Sequence, residues 1–214
     1  MSTLQLRERP ASGEPAGLLI LNHGRGTDES DLLPLADVLD PARRLHVVTP
    51  RAPIALAGSP GFHWYLVPRV GYPDPDTFRE AFDALADLHD ELWQRTGVGA
   101  ERTVLGGFSM GCVMSYALGL GAGRPRPAGI LAFSGFIPTV AGWSGDLASR
   151  AGMPVFIAHG ARDPVIDVGF AHHARTTLEA AGLEVAYHES ETSHHIDPRH
   201  AVAAKGWLEQ TLRA

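Results

Sequence analysis

Ser109 is the residue of this chain whose surroundings most resemble those of a nucleophile. It sits in Gly107-Phe108-Ser109-Met110-Gly111, a G-x-S-x-G pentapeptide. The apolar run Thr103 to Phe108 reads as a buried strand entering it, and Met110 to Leu120 reads as a helix leaving it. A serine on such a sharp turn has its Oγ lifted into a cleft, and glycines two residues away on either side avoid collisions there. The helix N-terminus then directs free N–H groups at developing negative charge. The pentapeptide alone also fits a glycine-rich turn with a capping serine. The strand before it and the helix after it favour the nucleophile.

A serine hydroxyl needs a base to take its proton, and the base needs an acid to orient it. On a strand–turn–helix scaffold these partners follow in the order Ser, then Asp or Glu, then His. Asp163 stands in a short loop after the apolar run Val155 to His159, and His194 stands between the last strand and the last helix. Asp167 competes with Asp163, but its place at a helix start suits an acid that stabilises the dipole. His195 adjoins His194, and spacing alone leaves it open. His159 reads as a strand end bracing the Asp163 loop. A tetrahedral oxyanion also needs donors. The backbone N–H of Met110 is one candidate. The other is the N–H of Arg25, in the glycine loop Leu21-Asn22-His23-Gly24-Arg25-Gly26.

These groups need a frame that brings them to one edge. Short apolar runs alternate with helical periodicity along the whole chain. Strands are expected at Leu18 to Asn22, Leu45 to Thr49, Thr103 to Phe108, Gly129 to Phe133, Pro154 to His159 and Leu183 to His188. Helices are expected near Glu29 to Leu39, at Thr77 to Gln94, Met110 to Leu120, Phe170 to Ala181 and Arg199 to Leu212. Thr3 to Arg9 alternates like an extra, antiparallel edge strand. Pro50 to Gly71 is rich in Pro, Gly and aromatics, so a long loop is expected there. The fold class is therefore α/β, a mainly parallel central sheet with helices on both faces. Reactive groups in such sheets gather at the carboxyl ends of the strands.

The bulk numbers narrow the remaining classes. The chain has 214 residues, 44% of them hydrophobic, which suits one domain spanning 1–214. Its 18 basic and 24 acidic residues give a net charge of −6, and Lys205 is the sole lysine. Without clustered cations, a nucleic-acid partner is not expected. The single cysteine, Cys112, makes an internal disulfide impossible and is expected to pack as a small hydrophobe. Met1 to Pro10 lacks the apolar core of a signal peptide, and no stretch is apolar enough to span a bilayer. A cytoplasmic protein without stable membrane insertion is expected. Oligomeric state is open, a homodimer included.

Several motifs in order resemble one family. Leu19-Ile20-Leu21-Asn22-His23-Gly24-Arg25-Gly26, Asp31-Leu32-Leu33-Pro34-Leu35-Ala36, Pro50-Arg51-Ala52-Pro53, Gly61-Phe62-His63-Trp64-Tyr65, Gly107-Phe108-Ser109-Met110-Gly111, His159-Gly160-Ala161-Arg162-Asp163-Pro164-Val165-Ile166 and Ser193-His194-His195-Ile196 are similar to the phospholipase/carboxylesterase family of α/β-hydrolases, which includes acyl-protein thioesterases. The likeness covers nearly the whole chain. It implies an α/β-hydrolase fold and cofactor-free hydrolysis of small carboxylic esters, with thioesters or lysophospholipids as substrates of some relatives. Aligned on the family's Gly-His-x-Ile motif, the catalytic position falls on His194, with Ser193 replacing the glycine. Met110 stands where relatives often carry Gln, a change that should tune the pocket while leaving the backbone donor.

The loop Gly58 to Tyr72 is the expected specificity element. Phe62, Trp64, Tyr65 and Leu66 either line an apolar acyl pocket or pack the loop onto the core. Two other readings compete. The histidines at 172, 173, 188, 194, 195 and 200 raise a metal site, but none form a His-Glu-x-x-His pair and adjacent histidines on a helix point apart. A non-catalytic binding module on the same scaffold is the other, since fold does not fix function. A dienelactone hydrolase fits less well, because cysteine stands there in place of Ser109. Neither a metal nor an organic cofactor is expected.

Overall fold

Leu18 and Ile20 face one way and Leu19 and Leu21 the other, and all four are fully buried. A strand buried on both faces belongs in a sheet covered on both sides. The computed structural model, which describes residues 4–58 and 60–213, builds that sheet. Its strands are β1 (Leu6–Arg9), β2 (Gly17–Asn22), β3 (Leu45–Pro50), β6 (Thr103–Phe108), β7 (Gly129–Phe133), β8 (Pro154–Gly160) and β9 (Glu184–Ser190). A small hairpin supplies β4 (Ile54–Ala55) and β5 (Phe62–His63). The helices are α1 (Leu33–Leu39), α2 (Pro75–Thr96), α3 (Met110–Leu120), α4 (Gly169–Ala180) and α5 (Pro198–Thr211).

The sheet order is β1-β3-β2-β6-β7-β8-β9. All neighbours are parallel except β1, which runs antiparallel to β3. The expected edge strand is thus present from Leu6, while its first residue, Thr3, lies outside the described residues. Helices α1 and α5 cover one face, packing Leu39 and Leu208 against Leu19, Leu21 and Val47. Helices α2, α3 and α4 cover the other, through residues such as Leu85, Val113 and Leu178. Among the described residues, no helix is long and apolar enough to cross a membrane.

Three differences from the sequence reading have clear local reasons. The first helix begins at Leu33 rather than near Glu29, with Pro34 in its first turn. A proline is tolerated there but would break a helix already one turn old. Helix α2 is longer than Thr77 to Gln94. Asp74 caps it by accepting the Thr77 N–H at 3.0 Å, and Gly97 closes it at φ 67°. Residues 50–71 are not wholly irregular, because β4 and β5 pair there. Gly26 N–H donates to Phe62 O and Phe62 N–H to Thr27 O, so the hairpin is tied to the glycine loop after β2.

Register sets the working edge. Asn22 lies opposite Gly107, Phe108 opposite Phe133, Phe133 opposite Ala158, and Ala158 opposite His188. The carboxyl ends of five parallel strands therefore open onto one rim.

Candidate active site

Ser109 occupies the turn between β6 and α3 with φ 54° and ψ −119°. A non-glycine residue rarely holds a positive φ, and such strain persists only where neighbours enforce it. Ser109 N–H donates to Phe133 O at 2.9 Å, which fixes the turn from the next strand. A Cβ on Gly107 would lie 2.5 Å from the backbone carbon of Gly111. The motif's glycines thus allow strand and helix to meet.

His194 reaches this turn from the loop after β9. Its Nε2 is 2.9 Å from Ser109 Oγ, and its Nδ1 is 2.6 Å from Asp163 Oδ2. The Phe108 ring packs against the imidazole at 4.8 Å between centroids. Asp163, in the loop after β8, accepts N–H bonds from Val165 at 2.8 Å and Ile166 at 2.9 Å on its other oxygen. Burial alone would push its carboxyl up. The bonds from His194, Ile166 and Val165 outweigh burial and hold it below the ordinary carboxylate value. An ionised Asp163 accepts only, so Nδ1 of His194 carries the proton and Nε2 is free to accept from Ser109.

The competitors stand elsewhere. His195 is exposed, and its Nδ1 is 3.2 Å from Ser193 Oγ. Asp167 accepts from Gly169 N–H at the start of α4. His159 is buried, donates from Nε2 to Ile166 O at 2.8 Å, and stands 3.4 Å from Asp163. Burial lowers its pKa, so it braces the Asp163 loop as a neutral ring. Among the described residues, no three His, Cys, Asp or Glu side chains are grouped to hold a metal ion. Cys112 is fully buried in the first turn of α3.

The loop after β2 faces the same turn. His23 is buried, donates from Nδ1 to Gly24 O at 2.7 Å, and accepts Ala52 N–H on Nε2 at 3.0 Å. Both bonds need the neutral ring, and burial favours that form. The Trp64 indole donates to His23 O at 2.9 Å, while Trp64 N–H donates to Met110 Sδ at 3.2 Å. Trp64 therefore straps the Arg25 loop to the residue after Ser109. Met110 opens α3, where an N–H has no carbonyl one turn back.

A cavity of about 350 Å³ opens over Ser109 and Met110. Its walls include Arg25, Tyr65, residues 67–73, Phe136, Val165 and Ile166. Of the four aromatic and apolar residues expected in a pocket, Tyr65 is in this wall. Trp64 is instead fully buried as the strap. Phe62 lies under the Arg51 guanidinium at 4.6 Å. Leu66 is exposed, with its N–H on Thr77 Oγ1. The loop expected to set specificity does border the cavity, through Tyr65 and the residues beyond Leu66. Phe136, just past β7, carried no sequence signal. A comparable depression by Phe82 and Trp143 and a shallower one by His188 and His200 lack a nucleophile–base pair.

A model of the phospholipase/carboxylesterase family matches residues 9–212. The chain belongs to that family. It is a carboxylesterase/phospholipase-type α/β-hydrolase. "Acyl-protein thioesterase 1" of Yarrowia lipolytica is 26% identical over 95% of this chain and 96% of its own length. "Esterase YpfH" of Escherichia coli is 29% identical, covering 91% of this chain and 83% of that protein. The crystal structure of a Bacillus cereus carboxylesterase superposes with a TM-score of 0.85 at 24% identity, over 98% of this chain and 95% of its own, which establishes the shared fold.

Proposed function

We propose that residues 1–214 form one catalytic domain that hydrolyses small carboxylic esters through an acyl-enzyme on Ser109. The observation that carries this is the row Ser109 Oγ, His194 Nε2, His194 Nδ1, Asp163 Oδ2, at 2.9 and 2.6 Å. His194 takes the Ser109 proton as Oγ attacks the ester carbon. The carbonyl oxygen becomes an oxyanion, held by the N–H groups of Arg25 and Met110. The tetrahedral species collapses, and His194 gives its proton to the departing alcohol. Water then enters, His194 takes one of its protons, and the acyl–serine bond breaks to release the acid and restore Oγ–H. Asp163 holds the ring's orientation and stabilises the imidazolium. The reaction needs no cofactor. A cavity of about 350 Å³ is at the small end of the roughly 300–1,000 Å³ usual for ligand sites, which favours short or medium acyl chains.

Thioester hydrolysis is the second reading, favoured by the relatives whose names specify acyl-protein thioesterase. A panel of p-nitrophenyl esters of graded chain length, one acyl thioester and one lysophospholipid would rank these substrates. Ser109→Ala should lose essentially all turnover and all labelling by a fluorophosphonate while staying folded. Retained turnover in that variant would overturn the nucleophile assignment.

A further inference from the structure

The chain carries a net charge of −6, yet the wall of the Ser109 cavity is cationic. Arg25 and Arg69 both line it, and among the described residues no Asp or Glu does. The rest of that wall is mostly apolar, with Val67, Val70, Phe136 and Val165. Arg9, Arg51, Arg124 and Arg199 each pair with a carboxylate elsewhere on the molecule. Among the described residues, the Arg25 and Arg69 side chains have no such partner. A surface arginine without a partner is ordinary when water surrounds it. Two on one cavity wall, beside a nucleophile and with no carboxylate among the described side chains of that wall, favour an anionic group there.

Arg69 is also held in place. Its guanidinium lies 3.7 Å above the Tyr72 ring, and Arg69 O accepts from Tyr72 N–H at 2.9 Å. Stacking of this kind leaves the edge N–H groups of a guanidinium free for an oxyanion. The Arg25 side chain extends from the loop that also presents an N–H to the reacting carbonyl. A group bound by it would lie near the scissile bond.

Resting on the esterase reading of Ser109, we propose that the preferred substrate is an ester carrying a carboxylate, and that Arg25 and Arg69 recognise that carboxylate. The ester carbonyl reacts at Ser109 while the apolar wall covers the carbon chain between the two ends. The two arginines are specificity residues, and neither donates a proton in the chemistry.

The test uses the purified full chain and two matched substrate pairs. Mono-p-nitrophenyl glutarate against p-nitrophenyl butyrate places the carboxylate on the acyl side. Phenyl butyrate with a 4-carboxylate, against the same ester with a 4-carboxamide, places it on the leaving group. The readout is the ratio of kcat/KM for the anionic to the neutral member of each pair, measured within one variant. Changes in folding or in general catalysis cancel in that ratio. The wild-type ratio should exceed about tenfold in one arm, the scale of a charge-assisted hydrogen bond. It should shrink between about 50 and about 500 mM salt as screening rises. Arg69→Gln and Arg25→Gln should each lower it several-fold, Arg69→Lys should lower it less, and the double change to Glu should reverse it. A ratio at or below one in both arms, or one unmoved by both Gln substitutions, overturns the proposal and leaves the esterase reading standing. If no ester of either pair is turned over in a Ser109-dependent way, the esterase reading falls with it.

Discussion

Gly111→Ala should disable catalysis through the neighbouring loop rather than through the serine. Gly111 lies in the first turn of α3, pressed against the end of β2. A methyl carbon added there would lie within 2.5 Å of the carbonyl oxygens of Asn22 and His23. Ordinary contact begins at 3.4 Å, so that backbone must retreat by about 1 Å or more. Arg25, the proposed oxyanion donor, follows two residues after His23 and moves with it. A displacement of about 1 Å in a catalytic group costs on the order of 10²-fold, and loss of one oxyanion donor costs about 10²- to 10³-fold. We therefore expect kcat/KM for p-nitrophenyl butyrate to fall about 100-fold, mostly in kcat. Stability should fall as well, because the atoms met are backbone. Alanine gains up to about 1 kcal/mol over glycine in a helix, while overpacking costs about 1–3 kcal/mol or more. The melting temperature should drop by several degrees or more. Gly206→Ala is the control, because that exposed position in α5 has nothing within 4 Å of its would-be Cβ. It should keep full activity and gain slightly in stability. A folded Gly111→Ala enzyme with kcat/KM within about threefold of the parent would refute the coupling of these loops.

Other expectations follow from the same geometry. His194→Ala should lose at least about 10⁴-fold in ester turnover, while His195→Ala, exposed and away from Ser109, should stay within a few-fold in the same assay. Asp163→Asn should lose about 10⁴-fold by favouring the wrong His194 tautomer, with circular dichroism unchanged; activity near the parent's would show that the acid lies elsewhere. His89, buried in α2, has its pKa pushed down to about 3 by burial, then by the Arg124 charge. The unfolded state takes up that proton below about pH 6.5, so the folded state loses up to about 1.4 kcal/mol per pH unit between there and about pH 3. Urea unfolding of His89→Leu at several pH values should show a shallower acid slope than the parent by about one proton, and parallel slopes would disprove it.

Much of this molecule is legible along the chain because its information is local. The double-sided burial of β2 and β6 is written as unbroken apolar runs, and the 3.6-residue period of α2 is written in Phe78, Ala81, Leu85, Leu88 and Leu92. The strand–turn–helix around Ser109 needs its glycines at fixed spacing, so sequence specifies that turn. The order of Ser109, Asp163 and His194 follows from which strand each one leaves. Other features depend on what meets across the fold. Spacing could not separate His194 from His195, because adjacent residues differ only in direction, and the Asp163 loop decides which ring lies along the line to Ser109. From its type alone Trp64 could line a pocket or pack its loop onto the core. Its indole and backbone N–H groups are drawn inward by His23 O and Met110 Sδ, atoms 41 and 46 residues away. The cavity wall gathers Arg25, Arg69, Phe136 and Val165 from four separate loops. Sequence supplied the candidate reacting groups, and packing between distant segments settled which side chains surround them.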